Sequence, residues 1–223
     1  MSDSNLNFLE RDYTFKFEKY FDRGWEIFQK YIGGFIGFGA FNFIAALLLS
    51  SGVSDLPTLR QASIVSLFSL LITPAFIAGY YIVALEIAEN KSPSFADFFD
   101  GFKKYLPILL VTVISGVLVF LGFIFILIPG IYLAVCYSFA LIFVVEYDLN
   151  PWAALETSRK VIQKKWFAFF GFVIVLGGID FFAAFFLWGL PAIVTNPFTS
   201  CTLIAAFEDI VGFNKGVTLE KEV

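Results

Sequence analysis

The chain has 223 residues, of which 59% are hydrophobic, 20% aromatic and only 15% charged, and its mean hydropathy is +0.82. A soluble domain carries about 25% charged residues, so this composition predicts a protein that lives in lipid. The net charge of −4 argues against a nucleic-acid partner, and histidine, the commonest metal ligand and proton shuttle, is absent. We therefore expect no enzyme, no catalytic residue, no metal and no cofactor.

Long apolar runs follow a charged N-terminal segment, residues 1–20. Two of the runs, residues 106–145 and 167–207, are each about 40 residues long, twice the roughly 20 residues with which a helix crosses a bilayer. Each run must therefore fold back, and Pro129 with Gly130, and Gly189 with Pro191, supply the breaks. The sequence predicts six transmembrane helices, at about residues 31–50, 62–87, 106–128, 131–146, 167–189 and 191–208. The fourth and sixth are short, so re-entrant segments are an alternative to full spans.

An amphipathic segment precedes each pair of helices, with apolar residues at helical spacing. These residues are Phe21, Trp25, Phe28 and Ile32 in the first segment, Phe95, Phe98, Phe99 and Phe102 in the second, and Trp152, Leu155, Ile162 and Trp166 in the third. Ser94 with Asp97 forms a capping box, and Asn150 before Pro151 is a good N-cap. We predict helices that lie along the cytoplasmic surface and dip their aromatic side into the headgroup region.

The predicted fold is therefore an all-α polytopic membrane bundle of about six transmembrane helices in three hairpin repeats, each preceded by an amphipathic cytoplasmic-surface helix. The repeats cover residues 21–88, 94–147 and 150–210 of a single membrane domain, residues 21–210, and a cytoplasmic tail, residues 211–223, follows. Five glycines, Gly33, Gly37, Gly171, Gly177 and Gly178, offer small faces on which helices could pack closely.

Lysine and aromatic residues mark the start of each hairpin, as is typical of the water edge of a bilayer. The predicted interfacial anchors are Trp25, Lys30, Tyr31, Lys104, Tyr105, Lys165 and Trp166. Fourteen of the fifteen basic residues fall on one side of the predicted topology, and Arg60 alone falls on the other. The positive-inside rule then places both termini in the cytoplasm.

Three stretches of the chain carry a resemblance to a known group of proteins. They are residues 93–105, residues 129–140, and the segment with Pro151, Trp152, Ala154, Leu155 and Ser158. The chain resembles, from about residue 24 to 212, a broad group of bacterial six-helix membrane proteins of unknown function, which includes the membrane-spanning domain of some glycerophosphodiester phosphodiesterases. The resemblance implies a multi-pass protein of the bacterial inner membrane with no established reaction. The metal-binding histidines of the phosphodiesterase domain are absent, so that activity does not carry over.

Asp180 is the sharpest candidate for a functional residue, because a carboxylate inside a transmembrane helix is costly and usually functional. Asn42 and Asn196 are further polar residues within the predicted spans, and together the three could bind a cation or carry a proton. The structural alternative is that Asp180 pairs with Arg60, the lone outer cation, or hydrogen-bonds a neighbouring helix.

Two functions are compatible with these features. The sequence favours a non-enzymatic accessory membrane protein that interacts with lipids, with another membrane protein or with a second copy of itself. The alternative is a small transporter or permease with a pathway along the repeat axis that uses Asp180. The two differ in where the polar residues point: convergence on one water-accessible cavity favours transport, and separate packed positions favour the accessory role.

Overall fold

The computed structural model describes residues 12–52, 57–125 and 127–213, and this part of the chain is all-α, without strands. Its α-helices are α1 (Phe17–Lys30), α2 (Ile32–Gly52), α3 (Thr58–Ala88), α4 (Tyr105–Phe125), α5 (Leu127–Cys136), α6 (Ala140–Tyr147), α7 (Pro151–Ile162), α8 (Trp166–Phe185) and α9 (Ala192–Ile210). Short 3₁₀ helices cover Phe95–Phe102, Gln163–Lys165 and Phe186–Gly189. Most of the predicted N-terminal segment, residues 1–11, and the tail after residue 213 lie outside the described residues.

Five helical stretches in the described part of the chain are long and apolar enough to cross a membrane, as in a multi-pass membrane protein. They are Ile32–Gly52, Thr58–Ala88, Tyr105–Phe125, Leu127–Tyr147 and Pro151–Phe185. Pro74 and Pro197 lie inside continuous helices. The predicted sixth span corresponds to α9, which is not among the five, and its Thr195, Asn196 and Thr199 give it a more polar sequence.

The helix α9 packs against α1, α2, α3 and α8 and is buried along its C-terminal half. Glycine allows two of these approaches. A Cβ atom on Gly24 would lie 2.5 Å from Thr202 Oγ1, and one on Gly39 would lie 2.5 Å from the Ile193 carbonyl oxygen. Enclosure of its C-terminal half accommodates part of this polar sequence, because Thr199 and Thr202 are buried against other helices instead of facing lipid.

In the first long run, residues 106–145, the chain folds back between α4 and α5, a few residues before the predicted break at Pro129 and Gly130. Helix α4 ends at Phe125 and α5 begins at Leu127, so Pro129 and Gly130 lie in the first turn of α5, where proline costs no hydrogen bond. A further break, which the sequence did not predict, separates α5 from α6 at residues 137–139. There the buried Ser158 hydroxyl donates to the Cys136 carbonyl oxygen at 2.6 Å and accepts from the Phe139 amide at 3.2 Å. A distant residue thus satisfies the backbone groups that the break exposes.

The predicted surface segments are present, but they pack largely on the protein. In α1, Ile27 and Phe28 are buried, and in the second segment Phe98 is fully buried between α2 and α3. That second segment is a 3₁₀ helix, and the carbonyl oxygen of Phe98 lies so close to Gly79 that a Cβ there would be 2.0 Å away. The predicted caps are confirmed: Ser94 donates its amide to Asp97, and Asn150 accepts from Ala153.

The prediction of close packing at five glycines was wrong. A Cβ atom on Gly33, Gly171, Gly177 or Gly178 would meet nothing within 4 Å, and one on Gly37 would make only an ordinary contact. The close approaches lie at other glycines, namely Gly24, Gly39, Gly79, Gly101, Gly122 and Gly130. Spacing alone did not identify them, because the short GxxxG signal carries no information on the partner helix.

Ion pairs join α1 to the C-terminal end of α9. Arg23 binds Glu208 through Nε at 3.0 Å and through a second nitrogen at 3.1 Å. Lys19 Nζ contacts Asp209 Oδ1 at 2.5 Å, and the Tyr20 hydroxyl donates to Oδ2 of the same carboxylate at 3.1 Å. We call the α1–α9 contact formed by Lys19, Tyr20, Arg23, Glu208 and Asp209 the charged clasp.

The charged clasp makes the stability of the folded protein depend on pH in the acidic range. Partial burial opposes ionisation of Asp209, but hydrogen bonds from Lys19 and Tyr20 and the charges of Lys19 and Lys16 outweigh it and hold the pKa of this carboxyl below its usual range. A lowered pKa stabilises the folded state above pH about 4, and this contribution is lost as the pH falls through the folded-state pKa.

We therefore expect Asp209→Asn to lose about 0.5 kcal/mol of stability at pH 6, a small effect because the two lysines are exposed to water. The difference between variant and wild type should shrink as the pH falls through the folded-state pKa of Asp209. Thermal unfolding in detergent across this range measures it, with Glu18→Gln, an exposed acid on α1, as the control. Parallel pH profiles for wild type and Asp209→Asn would contradict the assignment.

Candidate functional site

A cavity of about 600 Å³ lies between α2, α3, α8 and α9, and each helix contributes one face to it. The lining includes Gly39, Asn42, Phe43 and Leu49 of α2; Val65, Phe68, Ser69, Thr73, Phe76, Tyr80 and Tyr81 of α3; Val173, Leu176 and Asp180 of α8; and Ile193, Asn196, Thr199 and Leu203 of α9. The cavity is not sealed, since Ser69, Thr73 and Asn196 are exposed. Its volume falls within the range of sites that hold small organic molecules.

Asp180 is positioned by α8 so that its carboxylate faces α9. Oδ2 accepts a hydrogen bond from the Thr199 hydroxyl at 3.0 Å. Oδ1 is buried and has no hydrogen-bond partner, and the buried Thr195 hydroxyl lies near the carboxylate without the geometry of a hydrogen bond. One carboxylate oxygen of Asp180 is thus hydrogen-bonded within the protein, and the other is available to a ligand.

Asn42, like Asp180, has one side-chain polar atom that is hydrogen-bonded and one that is not. Its Nδ2 donates to the Tyr80 hydroxyl of α3 at 3.3 Å, whereas its Oδ1 is buried without a partner. A buried polar atom without a hydrogen bond costs about 1–3 kcal/mol. Two such acceptors, on Asn42 and Asp180, therefore line one cavity at a measurable cost to stability.

The predicted polar residues are brought together, with one exception. Asn42, Asp180 and Asn196 line the same cavity, although they come from three different helices. Arg60 does not: it is exposed near the start of α3 on a separate shallow groove with Leu59 and Ser63. No ion pair joins Arg60 to Asp180, so of the two structural alternatives only the hydrogen bond to a neighbouring helix is found.

Sequence reasoning missed several polar residues of the cavity, namely Ser69, Thr73, Tyr80, Tyr81 and Thr199. Ser69, Thr73, Phe76 and Tyr80 share one face of α3 at i, i+4, i+7 and i+11, and this spacing was a usable signal. Thr199 has no local signal, because serine and threonine are common in membrane helices and bond to their own backbone.

The predicted anchors make contacts within the protein. Tyr31 stacks on Phe98 with ring centroids 6.2 Å apart, and Lys30 Nζ lies 3.4 Å from Asn90 Oδ1. Trp25 is exposed on α1. Contacts within the protein therefore hold the start of α2 in place.

The other two pairs of anchors behave in the same way. Lys104 Nζ donates to the Val145 carbonyl oxygen at 2.8 Å and pairs with Asp148, and the Tyr105 hydroxyl donates to the Leu71 carbonyl oxygen at 3.1 Å. Lys165 lies 3.5 Å from Asp12, and the Trp166 indole donates to the Tyr132 carbonyl oxygen at 3.4 Å. These contacts join neighbouring segments of the protein. They do not by themselves show where the membrane surface lies.

A family model described as "Protein of unknown function (DUF975)" matches residues 36–217, which is most of the chain and includes nearly all of the four helices around the cavity. The chain therefore belongs to the DUF975 family. Comparison with curated proteins and with solved structures gave no match. The family match agrees with the expected membrane protein of unknown function, and nothing in it links the chain to glycerophosphodiester phosphodiesterases.

Proposed function

We propose that this protein binds a small solute in the α2–α3–α8–α9 cavity and carries it across the membrane as a permease. One observation carries the proposal: Asn42, Asp180 and Asn196, on three helices, line a single cavity that is open to the surroundings. Convergence of this kind is what a transport pathway requires, and an accessory protein has no need of it. The cavity thus favours the alternative that the sequence ranked second.

The state of Asp180 supports the same proposal. A structural carboxylate in a membrane protein satisfies both oxygens or pairs with a cation, whereas Asp180 bonds Thr199 through one oxygen and leaves the other without a partner. Such unsatisfied polar atoms persist at sites where a ligand completes them. The function proposed is accordingly non-enzymatic and lies in binding.

The proposal includes a topology. The three hairpins α2–α3, α4–α6 and α8–α9 supply six crossings, and α9 crosses within the bundle, shielded by its neighbours. Both termini lie in the cytoplasm, and the setting is the lipid of a bacterial inner membrane. The positive-inside count supports the orientation, and the enclosure of α9 supports the sixth crossing.

The permease proposal predicts that Asn196→Cys reacts with a membrane-impermeant maleimide from both sides of the membrane. A carrier exposes its binding site to each side in turn, so labelling should occur in right-side-out and in inside-out vesicles. The measurement is the labelled fraction at saturation, and the native Cys136 and Cys201 are buried, so the wild-type protein serves as the unlabelled background.

The control is Glu18→Cys, an exposed position on α1, which should react from the cytoplasmic side alone. Labelling of Asn196→Cys from one side only, or from neither, would reject the permease proposal and favour the accessory role.

A further inference from the structure

The buried polar atoms without a partner on the described lining residues are both hydrogen-bond acceptors. Asp180 Oδ1 and Asn42 Oδ1 are buried and unpartnered. The Thr199 hydroxyl already donates to Asp180 Oδ2 and the Asn42 amide nitrogen donates to the Tyr80 hydroxyl, and the nearby Thr195 hydroxyl makes no hydrogen bond to Oδ1. A ligand that completes this site must bring N–H or O–H donors of its own.

The charge of the cavity points to a cation. Asp180 is the acidic residue among the described lining residues, and none of those residues is a lysine or an arginine. A carboxylate enclosed by apolar side chains needs a compensating positive charge, and charge-assisted hydrogen bonds are stronger than neutral ones. An ammonium group provides both the charge and the donors.

The lining and the volume of the cavity suit an organic molecule better than a bare metal ion. A metal cation such as Ca²⁺ takes six to eight oxygen ligands, and the described residues contain no group of three acidic, cysteine or histidine side chains that could hold a metal. Most of the lining is instead apolar or aromatic, including Phe43, Phe68 and Phe76, and the volume of about 600 Å³ exceeds that of an ion many times over.

Tyr81 adds a second feature that suits an organic cation. It lines the cavity beside Asp180, and an aromatic ring attracts a cation placed over its face. The apolar side chains of α3 that line the cavity, such as Val65, Phe68 and Phe76, would cover the hydrocarbon part of such a molecule. Polar recognition and apolar burial are thus combined in one cavity.

We propose that the solute is a primary or secondary organic ammonium ion with an apolar body, whose N–H groups donate to Asp180 Oδ1 and Asn42 Oδ1. This inference rests on the proposed function and gives its substrate class. It requires no covalent step, only the release of water from the cavity and of any proton that neutralises Asp180 before the ligand binds.

The test is protection of Asn196→Cys from the maleimide in detergent-solubilised protein, with 2-phenylethylammonium as the probe. Two compounds with the same body, neutral 2-phenylethanol and anionic phenylacetate, and the donor-free tetramethylammonium ion are the comparisons. We expect 2-phenylethylammonium to slow labelling at concentrations about tenfold or more below those of the others, since a hydrogen bond to a charged group contributes more than 1.4 kcal/mol. Asp180→Asn should remove this preference, whereas Asp148→Asn, an exposed acid outside the cavity, should keep it.

The outcomes separate this inference from the function on which it rests. Equal protection by the alcohol or by phenylacetate, or no protection by any compound while labelling proceeds from both membrane sides, would overturn the ammonium assignment and leave a permease for another solute. Labelling confined to one side would overturn the permease itself. The ligand series on the Asn196→Cys protein decides the charge preference even if the Asp180 variant fails to fold.

Discussion

Replacing Asp180 with asparagine should abolish uptake of 2-phenylethylammonium by proteoliposomes and leave the folded protein at least as stable as the wild type. Asparagine keeps an acceptor for the Thr199 hydroxyl, so the contact between α8 and α9 survives. It removes a buried charge that lacks an ionic partner among the described residues, which is a stabilising change. Loss of function with no loss of stability is the expected signature of a group kept for its ligand.

Two readings on the same purified variant check this prediction: initial uptake by proteoliposomes, and the midpoint of thermal unfolding in detergent. Asp148→Asn is the matched control, because it removes an exposed acid that pairs with Lys104 and does not line the cavity. A lowered midpoint together with normal uptake would show that Asp180 serves the structure and has no part in transport.

Replacing Gly79 with alanine should destabilise the protein by about 3 kcal/mol, the upper range for overpacking of a well-packed site. A Cβ atom at Gly79 would lie 2.0 Å from the Phe98 carbonyl oxygen and 3.0 Å from its carbonyl carbon, so the backbone of the 3₁₀ helix must move. Phe98 would move with it, and its ring is buried against Phe38 with centroids 4.5 Å apart. The expected damage therefore reaches from α3 to α2.

The control for Gly79→Ala is Gly116→Ala in the interior of α4, where a Cβ atom meets nothing within 4 Å. Alanine is the better helix former by about 1 kcal/mol, so this variant should be neutral or more stable. Thermal unfolding in detergent compares the two. Equal midpoints for the two variants would show that α3 and the 3₁₀ helix are not in close contact.

The sequence predicted the positions of α2, α3, α8 and α9 within a few residues, because long apolar runs bounded by charge leave little freedom. It also predicted the caps at Ser94 and Asn150, since these depend on neighbouring residues only. Features that depend on a distant partner were missed. The break at residues 137–139 is satisfied by Ser158, and no local pattern there announces it.

The candidate site was predicted in part. Asn42, Asp180 and Asn196 were identified because polar residues are conspicuous in apolar helices. Arg60 was grouped with them by its place in the topology, but a position along the chain does not fix which face of α3 it occupies. That three of the four share a cavity required the packing of α9 against α2, α3 and α8, which depends on Gly39 and on other contacts between helices.

The amphipathic segments show the same limit. Helical spacing identifies an apolar face, but a face that dips into lipid and a face that packs on another helix have the same pattern. Gly24 in α1 lets this helix come close to α9, and Gly101 lets the 3₁₀ helix come close to α3. These close approaches show that the apolar faces of the two segments pack on other helices.

The central claim is that Asn42 and Asn196 share one water-accessible cavity within the bundle. Spin labels attached to cysteines at these two positions in lipid nanodiscs test it most directly, with a label at Leu48, an exposed apolar residue of α2, for comparison. We predict that a water-soluble nickel chelate relaxes the labels at 42 and 196 and that lipid-dissolved oxygen relaxes the label at 48. If oxygen, and not the chelate, relaxes the labels at 42 and 196, these residues face lipid and the cavity account is wrong.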